Sequence, residues 1–514
     1  MTKIRMSFYD DYKPIRNKIR QYDPISIVSV LVSKLHELYH KPSKDWDVYL
    51  PWELLLLMKW VLANYESANT RIINKSAKQA DLRIINGLIN SLQDLFDKHR
   101  VDPLIRSGDN QHNLQKFFRQ TAFQQFWLQP SSKLTISLQA RAFYLFYYQH
   151  EENEALQKID RYFFNKAGIS INTFFEISLI IWTKYHVSEN KDVSITKEWF
   201  RNCAHNFTDK EIDKYFKLLS LDLQEAKEYA NNDIKKKNER GYDALQILEQ
   251  SPFTFYPFLR FGDKYILYSP ALLDYTVKYF IYDFLKRHEG GGFSSVFGKD
   301  IFECYLKKGL EYSGLDFKDE NTQHKKNKKV DFLIESGDRA ILIEAKAVEM
   351  ANIAPAKADN ESIIKALEKS VLKGIKQAYS VANSLNNKTT VYALIVTYKE
   401  LFLGRTGSIW DEFLGNSLEE FLSENNIDTK CISPDHIYIL SVDDFDKLMQ
   451  VIKNDHDIFK ILDFISEQDK DDIKGRHAFG VHLNKFLPKD DSIPPHLEDM
   501  VKKLYDKVES RFSQ

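Results

Sequence analysis

At 514 residues the chain exceeds what one compact core serves, and it predicts two or three domains. Its 43% hydrophobic and 28% charged residues are those of an ordinary globular protein, which excludes wholesale disorder. With Lys+Arg 72 against Asp+Glu 73 there is no overall basic field, so any grip on nucleic acid has to come from a local cluster of cations.

The first residues, MTKIRMSFYDDYK, have no apolar core of the kind a signal peptide carries. The apolar run Leu54 to Met58 is cut by Lys59, far short of the roughly 20 residues a membrane span needs. Cys203, Cys304 and Cys431 form no CxxC pair, which predicts a reduced, cytoplasmic protein without a structural zinc or a membrane segment.

From the start to residue 245 nearly every periodic segment reads as helix, and the stretch is expected to be an all-α domain for recognition, regulation or assembly. Asp23-Pro24 is a helix start leading into Ile27, Val28, Leu31, Leu35 and Leu38, and Thr208 with Glu211 makes a capping box. Aromatic residues crowd Phe117 to Tyr148. With Arg119 and Arg141 they could form a base-stacking surface, but their helical spacing favours packing. Residues 246–292 read as a connecting hairpin about Gly262-Asp263, a helix from Pro270 to Arg287, and a flexible break at Gly290-Gly291-Gly292.

A third segment, 293–455, carries the chemistry. A helix from Ser294 to Tyr312 bears Glu303 and Glu311, and is followed by the cluster His324-Lys325-Lys326-Asn327-Lys328-Lys329. Then comes KKVDFLIESGDRAILIEAKA: one arm, Val330 to Glu335, is apolar except at Asp331, and the other, Ala340 to Ala347, is apolar except at Glu344 and Lys346. Ser336-Gly337-Asp338 supplies the turn, and strand alternation sends Glu344 and Lys346 to one face. Charges on strands this apolar need compensation, and a divalent metal provides it. An amphipathic helix from Glu361 to Leu385 follows, with Lys373 and Gln377 on its polar edge, then strands Val391 to Thr397 and His436 to Ser441 and a helix to Lys453. The tail 456–514 reads as helical and polar.

Asp331, twelve residues, then Glu344-Ala345-Lys346 resembles the core of the PD-(D/E)xK, or restriction-endonuclease-like, nuclease superfamily, with Val330 in place of the motif's proline. Glu225-Ala226-Lys227 repeats the tripeptide inside a helical pattern, so the strand context carries the resemblance and the tripeptide does not. The resemblance covers Ser294 to Lys453 and implies an α/β domain with a central mixed sheet flanked by helices, following the all-α part. It further implies Mg²⁺ or Mn²⁺ on Asp331, Glu344 and the Ala345 carbonyl, with Glu303 completing the site and Glu311 as fallback. Lys346 would orient the attacking water, and Gln377, with Tyr379 nearby, would position a carboxylate or the nucleotide backbone. Lys325, Lys326, Lys328, Lys329 and Lys373 would grip phosphates.

The expected activity is metal-dependent phosphodiester hydrolysis, foremost as a DNA endonuclease in restriction or in defence against phage and mobile elements. A homo-oligomer and a sensor or ATPase partner protein would suit that role. The alternatives are an RNase using the same site and a catalytically silent nuclease-fold module that binds nucleic acid or a partner protein. Gly292 and Gly298-Lys299 resemble a P-loop, but Phe293 stands where its first glycine belongs and Asp300 replaces the Ser/Thr, so no ATPase is expected.

Overall fold

Local signals start many of the helices. Asp23 accepts a hydrogen bond from the Ser26 backbone N–H at 2.8 Å, with Pro24 in the first turn, and the helix Pro24–Tyr39 buries Ile27, Val28, Leu31 and Leu35. Thr208 and Glu211 form the reciprocal capping box of the helix Asp209–Leu219. The computed structural model describes residues 8–46, 49–65, 79–101, 110–128, 139–148, 153–187, 193–203, 206–239, 243–289, 291–323, 328–348, 353–385, 388–404, 409–471, 474–476, 478–487 and 494–512. Among these, helices dominate and the strands form two mixed sheets.

The smaller sheet has the order β1-β4-β3-β2: Ser194–Thr196, Lys264–Leu267, Phe258–Phe261 and Ser220–Asp222. The hairpin expected about Gly262 is therefore present as β3 and β4. Its flanks are two three-residue strands from the part expected to be wholly helical, β1 antiparallel to β4 and β2 parallel to β3. Such short strands carry no visible alternation, so SIT and SLD leave no strand signal in the sequence.

The larger sheet has the order β5-β6-β7-β8-β9, with β5 at Lys318–Asp319, β6 at Phe332–Ser336, β7 at Arg339–Lys346, β8 at Thr390–Thr397 and β9 at Ile437–Ser441. β5, β6 and β7 run antiparallel in turn; β7, β8 and β9 run parallel. β8, TVYALIVT, is buried at seven of its eight positions, as an apolar strand covered on both faces must be.

Alternation divides this sheet between two helical layers. Ile341, Ile343, Leu394, Val396 and Leu440 join a core with the helices Cys304–Ser313 and Val442–Lys453. Leu333, Ala340, Leu342, Ala393 and Ile395 face the helix Val371–Ala382. Each fully buried Leu or Ile contributes about 1.5–3 kcal/mol, so a one-residue slip of β7 would forfeit both layers and register is strongly fixed.

The first of these cores does not stop at the boundaries expected near 245, 292 and 455. It runs from Ala140 through Phe280 and Tyr305 to Leu504 and Val508, and the polar-looking tail supplies Ile458, Leu462 and Leu497 to it. Of the expected glycine break, Gly290 lies outside the described residues; the helix Pro270–Glu289 precedes it and another starts at Gly291. The helix expected from Ser294 to Tyr312 contains a π-helical stretch, Phe297–Glu303, before Cys304–Ser313. That expected from Glu361 to Leu385 is two helices, Asn360–Leu367 and Val371–Ala382.

Among the described residues no helix is long and apolar enough to cross a membrane.

Candidate active site

Asp331 precedes β6 by one residue. Phe332 pairs with Ile343, so Asp331 stands opposite Glu344 at the end of the ladder, and its Oδ2 accepts the Ala345 backbone N–H at 2.6 Å. Leu333 and Leu342 place their shared face toward the helix Val371–Ala382, and Asp331, Glu344 and Lys346 fall on that same face by alternation. This is where burial of β7 gives way: Glu344 is 0% exposed, while Ala345 and Lys346 are partly exposed. The three charged positions expected from the sequence are thus brought together at the carboxyl end of β7.

Glu344 Oε2 is paired with the Lys346 ammonium at 2.5 Å, and Glu344 Oε1 is buried with no hydrogen-bond partner. Burial first, and then the charge of Asp331, push the Glu344 carboxyl up to about 8, against the pull of Lys346 and of the Asp331 backbone N–H. Burial likewise raises Asp331, opposed by the Ala345 N–H and Lys346. Lys346, with a weaker field from Lys299 at Asp331, does not hold either acid at its ordinary value.

Glu303 approaches from the other helical layer, at the end of the π-helical stretch. It is half-buried, and burial, followed by Asp331 and Glu320, pushes it up to about 7, with Lys299 and Lys346 opposing. A π turn displaces the following side chains from ordinary helical phase and recurs at functional sites. Glu311, the fallback, is exposed and 3.7 Å from Lys308, away from this group. Among the described residues no group of three or more His, Cys, Asp or Glu side chains stands ready to hold a metal ion, so Glu303 is near Asp331 and Glu344 without being gathered with them into a ligand set.

Gln377 has a different position from the one expected. Its Nε2 donates to the Lys329 carbonyl at 2.7 Å, so it holds the backbone two residues before Asp331 and does not reach a carboxylate. Gln323, which the sequence did not single out, does the same one residue later: its amide donates to the Val330 carbonyl at 2.8 Å and accepts the Val330 N–H at 3.2 Å. A glutamine adjoining a polar basic run shows no periodic signal, and pairing with a strand seven residues on is invisible in sequence. Tyr379 is fully buried and donates to the Ile432 carbonyl at 2.8 Å, so it is a packing residue.

Of the expected phosphate-binding lysines, Lys328 reaches the Ser380 hydroxyl at 3.2 Å, Lys329 the Glu320 carbonyl at 2.5 Å, and Lys373 is exposed on the helix over the site. Lys325 and Lys326 lie outside the described residues. Arg119 and Arg141 are buried and neutralised, the first by both oxygens of Glu412, the second by Asp443 and Asp446, which leaves neither for a phosphate.

The carboxylate oxygens of Asp331 and Glu344 are donors of the type a hard divalent cation takes, but two acids fall short of a full ligand set among the described residues. No family model, curated protein or solved structure matches the chain.

Proposed function

We propose that the chain hydrolyses phosphodiester bonds of nucleic acid, DNA foremost, with Mg²⁺ or Mn²⁺, as an endonuclease of the PD-(D/E)xK type. The observation that carries this reading is Glu344: a wholly buried acid with an orphaned oxygen, beside Asp331 and Lys346 on one face at the end of a central strand. The helix, three antiparallel strands, helix and parallel strand around it support the family resemblance.

A hard divalent cation, when bound, supplies Lewis acidity at the scissile phosphate and acidifies water. Asp331 and Glu344 would hold it through carboxylate oxygens. Lys346, released from Glu344 as that charge is met, would orient the attacking water and offset negative charge as the phosphate is attacked. Gln377 and Gln323 fix the backbone that carries Asp331. Lys328, Lys329 and Lys373 would add affinity for the phosphate backbone without sequence information.

The test is cleavage of double-stranded DNA, single-stranded DNA and RNA with Mg²⁺, Mn²⁺ or chelator, comparing wild type with Asp331→Ala and Lys346→Ala. Metal-dependent cutting lost in both variants supports the proposal; cutting that survives both overturns it. The closed Glu344–Lys346 pair favours one second reading, a nuclease-fold module that binds nucleic acid without cutting it. Metal-independent binding with no cleavage of any substrate would select that reading.

A further inference from the structure

A cavity of about 330 Å³ opens between the helix Phe8–Ile19, the end of the helix Pro51–Ala63 and the helix Leu223–Asn238, and it shares no residue with the candidate active site. Its charged lining is all of one sign. Arg16, Arg20 and Lys227 reach it, and among the described residues no carboxylate lines it. Arg16 and Arg20 stand one turn apart on one helix face, an arrangement that like charges disfavour. Among the described residues none of the three cations is ion-paired, because the acids nearby are engaged elsewhere. Asp11 holds Lys98 and His99 at 2.6 and 2.8 Å, Asp233 holds Lys59 and Lys237, and Glu228 takes the Gln224 amide.

Donors are left over as well as charge. Arg16 gives Nη1 to the Tyr9 hydroxyl at 2.6 Å, and its Nε is buried with no acceptor. Arg20 spends only its Nε, on Asn64 Oδ1 at 3.2 Å, and Lys227 makes no hydrogen bond. The Tyr12 hydroxyl on the cavity wall registers the field. Burial raises it, and the Asn64 amide, then Arg16, Arg20 and Lys59, oppose that rise, so the surroundings favour negative charge there.

The rest of the wall is aromatic and amide. Phe8 and Tyr12 stack at 6.3 Å between ring centroids, and Tyr65 is half-buried. Buried Gln246 gives its oxygen to Trp60 Nε1 at 3.2 Å and keeps its N–H groups; Asn231 gives Nδ2 to the Ala63 carbonyl at 2.9 Å and keeps its oxygen. The volume is that of a small-molecule pocket, more than a bare anion fills. Guanidinium forks and an ammonium with no acid among them complement a phosphate, and rings with free amide donors and acceptors complement a flat heterocycle.

We infer that this cavity binds a nucleotide, its phosphate held by Arg16, Arg20 and Lys227 and its base set against the tyrosines and amides. Donors and acceptors are mixed on that wall, so no one base is singled out. The inference does not depend on hydrolysis at Asp331 and Glu344. The nucleotide is either a free one or the 5′-phosphorylated end of a strand; the recognition chemistry is the same.

Calorimetric titration of the full chain in chelator tests it, using AMP, GMP, CMP and UMP, the corresponding nucleosides, inorganic phosphate and a 5′-phosphorylated single-stranded oligonucleotide. The variants are Arg20→Gln and Lys227→Gln, neither side chain being fully buried, with melting temperatures checked. Saturable binding of a monophosphate, tighter than its nucleoside and than inorganic phosphate and weakened about tenfold by each variant, supports the site and identifies a diffusible ligand. Tenfold is the scale of one lost charge-assisted contact. Binding of the oligonucleotide alone, with the same two losses, supports it as a site for a strand end. Salt supplies a check that needs no variant: affinity should fall as sodium chloride rises, and an affinity indifferent to salt overturns the phosphate contact. No binding by any of these, a nucleoside or inorganic phosphate bound as tightly as the monophosphate, or binding indifferent to both variants overturns the inference.

Discussion

Gly374 lies so close to Lys346 that a Cβ built on the glycine would stand 2.8 Å from Lys346 Cε and 3.7 Å from Glu344 Cβ. Glycine within a helix costs about 1 kcal/mol relative to alanine, so the helix Val371–Ala382 gives up stability at the point where it covers the charged pair. Gly374→Ala is expected to keep the fold, with a melting temperature within a few degrees of wild type, and to push the Lys346 ammonium aside. Cleavage should fall on the order of a hundredfold, the scale of a 1 Å misplacement. Initial rates beside a melting curve check this, and a wild-type rate would detach Lys346 from the chemistry.

Glu344→Gln separates a functional acid from a structural ion pair. The folded-state carboxyl is raised to about 8 from its ordinary 4.5, so its contribution to stability is present below pH 4.5 and lost as pH rises toward 8. A neutral amide of the same shape removes that loss, and Lys346, 19% exposed, can turn to solvent. In chelator at pH 8 the variant should be more stable than wild type by about 1 kcal/mol while cleaving nothing. Denaturant titration gives the sign; a variant clearly less stable than wild type would show that the pair is kept for the fold.

Gln323 and Gln377 hold successive carbonyls ahead of Asp331, but they differ in what their loss exposes. Gln323→Ala leaves both the N–H and the carbonyl of buried Val330 unmet and should cost about 2 kcal/mol. Gln377→Ala removes one bond to the partly exposed Lys329 carbonyl and should cost less stability than activity. Equal losses of stability in the two would undo this distinction.

What the sequence made legible follows from the range of each signal. Glu344 and Lys346 are two apart on one strand, so alternation put them on one face, while Asp331, within sixteen residues across a tight turn, joined them through the family resemblance. Glu303 was legible only through the family resemblance, and the π turn that carries it has no simple pattern in FGKDIFE. The boundaries near 245 and 292 were read from a charge run and glycines, and that near 455 from the extent of the family resemblance. Charge and glycine mark the surface, and the core beneath is built from residues hundreds of positions apart, such as Phe143, Phe280 and Val508. Gln377 was placed on the correct helix edge, yet which atom it meets depends on how the preceding lysine run folds back, and spacing does not encode that.

Acid should loosen the seam between the helix Pro24–Tyr39 and β4, where His36 is half-buried with Nε2 2.9 Å from the Leu267 carbonyl. A carbonyl accepts only, so Nε2 carries the hydrogen. Burial first, then the nearby charges of His40 and Lys184, hold it down to about 4, against an ordinary 6.5. A depressed histidine contributes stability that is full above 6.5 and lost as pH falls toward 4, because the unfolded chain takes up a proton that the folded chain refuses. The shift corresponds to about 3 kcal/mol at most. Denaturant titrations at intervals from pH 7.5 to 4.5 should show that decline, and His36→Gln, which keeps an N–H for Leu267 but cannot titrate, should start lower and fall less. Parallel declines in the two proteins would place the acid sensitivity elsewhere in the chain.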